Sequence, residues 1–261
     1  MEDDEDIKRD RDGPEYRRAE EIGLSELRDA LGRLQLFGDD PYLRMQAFNL
    51  ALVDQTLTRL EYEVLEKLNA EERTPIPETA HLSALSQMWI FATYELMRTW
   101  RQRAQNMIKW AENGGLEAKL KEFEKDLGYQ HFGRQFRAQQ IKRVLADASI
   151  VGKIKDDLRR THILFAQMAA VRISLAKHEV KGRPNSVALM PGYGRINRWC
   201  GSLDFEMENG VGSMGYLSRR DIAEGIRAFP TTDPPSDETI KEFDAFMRGP
   251  DSAPDWNPSP T

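Results

Sequence analysis

Apolar positions along this chain recur mostly at spacings of three and four, a rhythm that predicts helix for most of its length. Leu24, Leu27, Leu31, Leu34 and Leu36 predict a first helix over 24–37. Asp39-Asp40-Pro41 follows, an N-cap with proline in the first turn, and opens a second helix over 42–69. Its apolar set is Leu43, Ala47, Leu50, Val53, Leu57, Leu60, Val64, Leu65 and Leu68, and Thr74-Pro75-Ile76-Pro77 ends it. A third helix is expected over 81–112, closed by Asn113-Gly114-Gly115, with Leu82, Leu85, Met88, Trp89, Ala92, Leu96 and Thr99 as its stripe. Further helical stretches are expected at 116–127, 136–149 and 151–178. In the last of these Ile154, Leu158, Phe165, Ala169, Arg172 and Ala176 track one face.

The rhythm changes at Lys181. Gly182, Arg183-Pro184 and Pro191-Gly192-Tyr193-Gly194 break helices. Residues 202–207 alternate with period two, Asn209-Gly210-Val211-Gly212 reads as a hairpin turn, and 213–217 reads as the return strand. Ser218 can cap a short helix over 219–228, and Ile240, Phe243 and Met247 predict another over 239–248. The expected fold class is mainly α: a helical bundle with a small C-terminal antiparallel β-hairpin unit. Bundle and β unit are expected to form one domain over 22–230, with strands confined to about 186–217.

Charge changes the picture only at the ends. Residues 1–21 hold ten acids and five bases with almost no apolar side chains, so this segment is expected to be disordered. It carries most of the chain's net charge of −6, which leaves the rest nearly neutral. The tail over 231–261, rich in Pro, Asp and Ser, is expected to be flexible around its short helix. There is no basic start with an apolar run behind it and no run of 18 apolar residues. A single cysteine, Cys200, excludes an intramolecular disulfide framework and is expected to pack as a small apolar side chain. The expectation is a cytoplasmic protein without membrane contact.

Arg172 stands among Phe165, Met168, Ala169, Leu175 and Ala176 and needs a carboxylate partner or a route to water. Glu95 is the expected partner, placed near the core by the arc of Met88, Ala92 and Thr99. Were the pair buried, Arg172→Ala would cost on the order of 3 kcal/mol. The functional alternative groups Arg172, Glu95 and His178. An imidazole moves protons near neutral pH and a guanidinium holds a phosphate, so together they can promote attack of an RNA 2′-hydroxyl on its own phosphate. Six residues set Arg172 and His178 about 120° apart on an ideal helix, so convergence requires the helix to end between them or two chains to share the site.

A helical bundle with Arg-x(5)-His near the end of its last long helix resembles the HEPN superfamily. The resemblance covers roughly 24–179 and rests on Arg172 and His178. It implies a metal-independent RNase, or a degenerate relative, in a defence or toxin–antitoxin setting. It also implies a site formed across a homodimer, with Glu95 as acidic helper. Ile173 departs from the polar residue that often follows the arginine in active members.

Two acid-free basic runs carry aromatic residues. Lys181, Arg183, Arg195 and Arg198 lie with Tyr193 and Trp199, and Arg98, Arg101, Arg103 and Lys109 lie with Trp100 and Trp110. Such runs can hold a phosphate backbone and stack bases, though arginine-rich helix faces are more often solvated or packed against a partner. His81, His131, His162 and His178 form no HExxH and no Cys/His pairing, so no metal and no cofactor are expected. Asp204, Glu206 and Glu208 are expected to form the solvent face of a strand. Two functions stay open: a helical binding or scaffold protein, for RNA, a protein partner or a second copy, and the HEPN-like nuclease.

Overall fold

The computed structural model describes residues 16–189, 192, 194–209 and 212–249. Its helices are α1 (Glu26–Gly32), α2 (Pro41–Glu71), α3 (Ile76–Glu112), α4 (Leu116–Glu124), α5 (Phe132–Ala146), α6 (Ser149–Arg160), α7 (His162–Lys177), α8 (Arg219–Ala228) and α9 (Asp237–Arg248). Five strands lie between α7 and α8: β1 (Glu179–Val180), β2 (Arg183–Val187), β3 (Gly194–Ile196), β4 (Leu203–Glu208) and β5 (Ser213–Ser218). The fold is mainly α with a small antiparallel β unit near the C-terminus. No helix among the described residues is long and apolar enough to cross a membrane.

The long pair α2 and α3 is the frame. Asp40 caps α2 by accepting the amides of Tyr42 and Leu43, and Pro41 sits where a missing N–H costs nothing. The helices fold back on each other, and the Trp89 indole donates to Leu50 O at 3.0 Å across the pair. The helix predicted over 81–112 begins five residues earlier, because Pro77 is tolerated in a first turn. The single helix predicted over 151–178 is two, α6 and α7, meeting at buried Thr161. The Thr161 hydroxyl donates to Asp157 O at 2.9 Å and accepts from Arg101 at 2.6 Å.

Strands begin at Glu179 rather than about 186. β1 and β2 pair antiparallel around Gly182, whose φ of +79° suits a tight turn that glycine adopts freely. β3, β4 and β5 form an antiparallel meander that lays Leu203, Phe205, Met207 and Leu217 on the bundle. Asp204 and Glu206 lie on its outer face as expected, but Glu208 does not. A register shift between Glu206 and Glu208 turns Glu208 inward, where its carboxylate accepts the Leu189 amide at 2.9 Å. Gly210 and Val211 of the expected turn lie outside the described residues.

Residues 16–21, counted with the disordered N-terminal segment from their charge, are packed. Ala19 is buried in a short 3-10 turn, and Tyr16 donates to Asp221 at 2.8 Å. Long-range polar contacts offset the ordering cost that composition alone suggested would prevail. The remainder of that segment, and 250–261 of the tail, lie outside the described residues.

Candidate functional site

Arg172 reaches the surface on α7. Its guanidinium lies 5.5 Å over the Tyr94 ring, and Tyr94 stacks on Phe165 with centroids 5.1 Å apart and planes within 8°. Arg101 covers the far side of Phe165 at 4.8 Å. The result is a four-step ladder of cation, ring, ring and cation joining α3 to α7. Arg101 is buried with no carboxylate partner among the described residues, donates to Leu158 O at 2.9 Å, and has its pKa pushed down by burial to about 10. Glu95 lies 3.8 Å from Arg172 and is held more closely by Arg98, at 2.7 Å. The expected pair therefore forms, but both side chains stay open to solvent, Arg172 at 31% and Glu95 at 44%.

The reason is a rotation of the α3 stripe. Met88 and Ala92, expected inside, are exposed, and Ser86, Ile90, Thr93 and Met97 take the core side. Glu95 goes outward with them. The 3 kcal/mol expected for a buried pair no longer applies. Arg172→Ala should cost about 1 kcal/mol, the sum of a screened ion pair and one cation–π contact. Thermal melts of Arg172→Ala and Glu95→Ala check this, and a loss above about 3 kcal/mol would contradict it.

His178 is exposed at the C-terminus of α7, in the left-handed region with φ +57°. Its amide donates to Ser174 O and its carbonyl accepts from Ala188, each at 2.9 Å. No hydrogen bond or ion pair joins His178 to Arg172 or Glu95 within the chain. The basic residues are dispersed as well. Lys181 turns back onto α7, donating to Ala166 O at 3.2 Å, and burial lowers its pKa. Arg195 covers the Tyr216 ring at 5.2 Å on the outer face of the meander, beside Asp204 in register. Arg198 and Trp199 are exposed in the turn before β4, and the Arg183 side chain and Tyr193 lie outside the described residues.

The dominant charged feature was missed by the sequence reading. Arg219 and Arg220, the first residues of α8, are fully buried. Arg219 clasps Glu61 through Nε and Nη2 at 2.7 and 2.6 Å, reaches Asp54 through Nη1 and Thr58 at 3.2 Å, and lies 5.5 Å over Trp89. Arg227 takes the other Asp54 oxygen and Glu224, while Arg220 donates to Arg17 O and lies 3.4 Å from Glu224. Arg17 also reaches Glu224 and Glu26, so that four arginines meet Asp54, Glu61, Glu224 and Glu26 and the charges balance. Burial opposes the Arg219 charge, but Glu61 and Asp54 more than restore it and raise its pKa. Asp54 and Glu61 lie on the core face of α2, and Val53, expected there, is exposed. The available signal was two acids seven residues apart beside an apolar stripe. The cluster is closed to water at Arg219, Asp54 and Glu61 and opens to it at Glu224, and it clamps α8 onto α2.

The family resemblance adds no further residues. No protein-family model, curated protein or solved structure matches this chain.

One surface remains largely unused within the chain, although the Tyr42 ring at its end meets Phe136 edge-on with centroids 6.4 Å apart. Tyr42, Met45, Asn49, Leu52 and Thr56 run along the outward face of α2 at alternating spacings of three and four, flanked by Phe48 and Val53. Met45 is 53% exposed and Leu52 41%, where a solvated helix face normally carries charge. Asp54 is turned into the cluster, and Arg44 lies about 120° round the helix from the strip's centre. The strip itself is therefore free of charge over four turns.

Proposed function

We propose that this chain is a helical binding protein that docks an apolar, uncharged protein surface on the outward face of α2, and that Arg172 serves packing and not catalysis. The exposed, charge-free strip from Tyr42 to Thr56 carries this reading. Charge depletion with Tyr, Phe and Met enrichment is the mark of an interface core, and contiguous apolar surface of this kind is otherwise avoided. A cytoplasmic setting fits the single, buried Cys200. If the strip serves an external partner, Leu52→Glu and Met45→Glu should each change the folding stability of the monomeric chain by no more than about 0.5 kcal/mol. Compared with wild type diluted until it is monomeric, both should also lower the fluorescence of a bound hydrophobic dye. A loss of several kcal/mol would mean the strip is packed within the chain and would end the proposal.

A second reading is the HEPN-like nuclease acting on RNA. The solvent access of Arg172, with Glu95 beside it and an exposed His178 further along the same helix, favours it. The two readings part in one assay, purified protein with total RNA in EDTA. The binding reading expects no cleavage. Cleavage leaving 2′,3′-cyclic phosphate ends, lost in His178→Ala and in Arg172→Ala, would establish the nuclease instead.

A further inference from the structure

We infer that the surface docked on α2 is a second copy of this chain, with the two α2 helices packed antiparallel about a two-fold axis at Asn49. The inference rests on the docking reading above and adds the identity of the occupant. Three observations carry it. The strip continues to Arg59, so positions 42, 45, 49, 52, 56 and 59 alternate strictly at three and four, the seam of two helices crossing at a small angle. Its middle position is an amide. An apolar partner surface would strand Asn49, whereas a two-fold axis sets amide against amide, each able to donate and accept.

Charge at the ends chooses the direction. With Asn49 on the axis, Tyr42 of one copy meets Thr56 of the other, Met45 meets Val53 beside Leu52, and Arg59 meets Asp39. Arg59 is exposed, and Asp39 is an exposed carboxylate already ion-paired with Arg143. A parallel pairing in register would set Arg59 against Arg59 and Asp39 against Asp39. Like charges facing each other are costly, so the parallel arrangement is disfavoured, whereas the antiparallel one brings Arg59 of each copy beside the Asp39–Arg143 pair of the other.

Sedimentation equilibrium of the full chain tests this, with thermal melts run beside it. Wild type should show twice the chain mass. Leu52→Glu should be monomeric, with a melt that does not depend on concentration and matches that of wild type diluted to monomer. Arg59→Glu should weaken the dimer by about tenfold or more, and Arg59→Glu combined with Asp39→Lys should recover most of that loss. A wild type that stays monomeric at its highest attainable concentration overturns the second copy. The docking reading then stands or falls separately on the dye and stability results. A dimer that survives Leu52→Glu, or a double reversal weaker than the single one, overturns the inference as well.

Discussion

Arg219→Ala is expected to cost about 3–5 kcal/mol of folding stability, the range for breaking a buried ion pair on one side. The loss comes less from the missing bonds than from what stays behind. Asp54 is 2% exposed and Glu61 is 0%, so removing the guanidinium leaves two buried carboxylates short of charge, Asp54 with Arg227 alone and Glu61 with Arg220 at 3.7 Å. For a domain of this size the melting temperature should fall by roughly 10 °C. Arg219→Lys should recover little, because one ammonium cannot reproduce the fork that spans Glu61, Asp54 and Thr58. The double change Arg219→Ala with Glu61→Ala should cost less than the sum of the two singles. Additive losses, or a cost below about 1 kcal/mol, would mean the cluster does not clamp α8 to α2.

Gly201→Ala is expected to be nearly as damaging, at a site with no charge at all. Gly201 has φ +76° in the turn before β4 and lies against the α2 backbone, where a Cβ would overlap the carbonyl of Glu61. The left-handed conformation costs a non-glycine residue about 1–2 kcal/mol. Overpacking against backbone adds about 1–3 kcal/mol, for a total on the order of 3 kcal/mol. Denaturant melts measure it. Since Glu61 holds Arg219, displacement of its carbonyl should also loosen the cluster, so Gly201→Ala and Arg219→Ala should combine to less than their sum. Full additivity would separate the turn from the clamp.

These two sites explain what was legible in the sequence and what was not. Helix existence was legible, because Leu43, Ala47, Leu50, Leu57, Val64 and Leu65 repeat strongly enough to set the element and most of its inner face. The exact face was not. Val53 and Met88 were assigned inside because they are apolar, yet Asp54 and Ser86 took the inner positions. For Asp54 the reason lies 165 residues away, in Arg219, and no local pattern reports a partner at that distance. The same rotation on α3 carried Glu95 outward and made the Arg172 pair a surface feature. The break at Thr161 was hidden for a similar reason, since Arg101 reaches it from another helix. β4 and β5 were visible through alternation. β1 is two residues long and pairs through a glycine turn, too short to show a period.

The misplaced Val53 also points to the candidate site. A sequence that spends apolar residues on the outward face of α2 while placing Asp54 and Glu61 inside reverses the usual economy of a helix. The inward acids are accounted for by Arg219, Arg220 and Arg227. The outward apolar strip requires something to cover it.

The most direct test of that account is an inter-spin distance. Gln46→Cys, carrying one nitroxide label per chain, places the probe at the edge of the proposed seam. Cys200 does not compete for the label, because it is buried and its thiol is pushed up to about 12. Packed helix axes lie about 8–10 Å apart, so pulsed dipolar spectroscopy should find the two labels within roughly 30 Å of each other. A label on exposed Glu117→Cys should give a different, longer distance in the same dimer. Absence of any dipolar coupling at Gln46→Cys, in a sample that melts as wild type does, would contradict a second copy seated on α2.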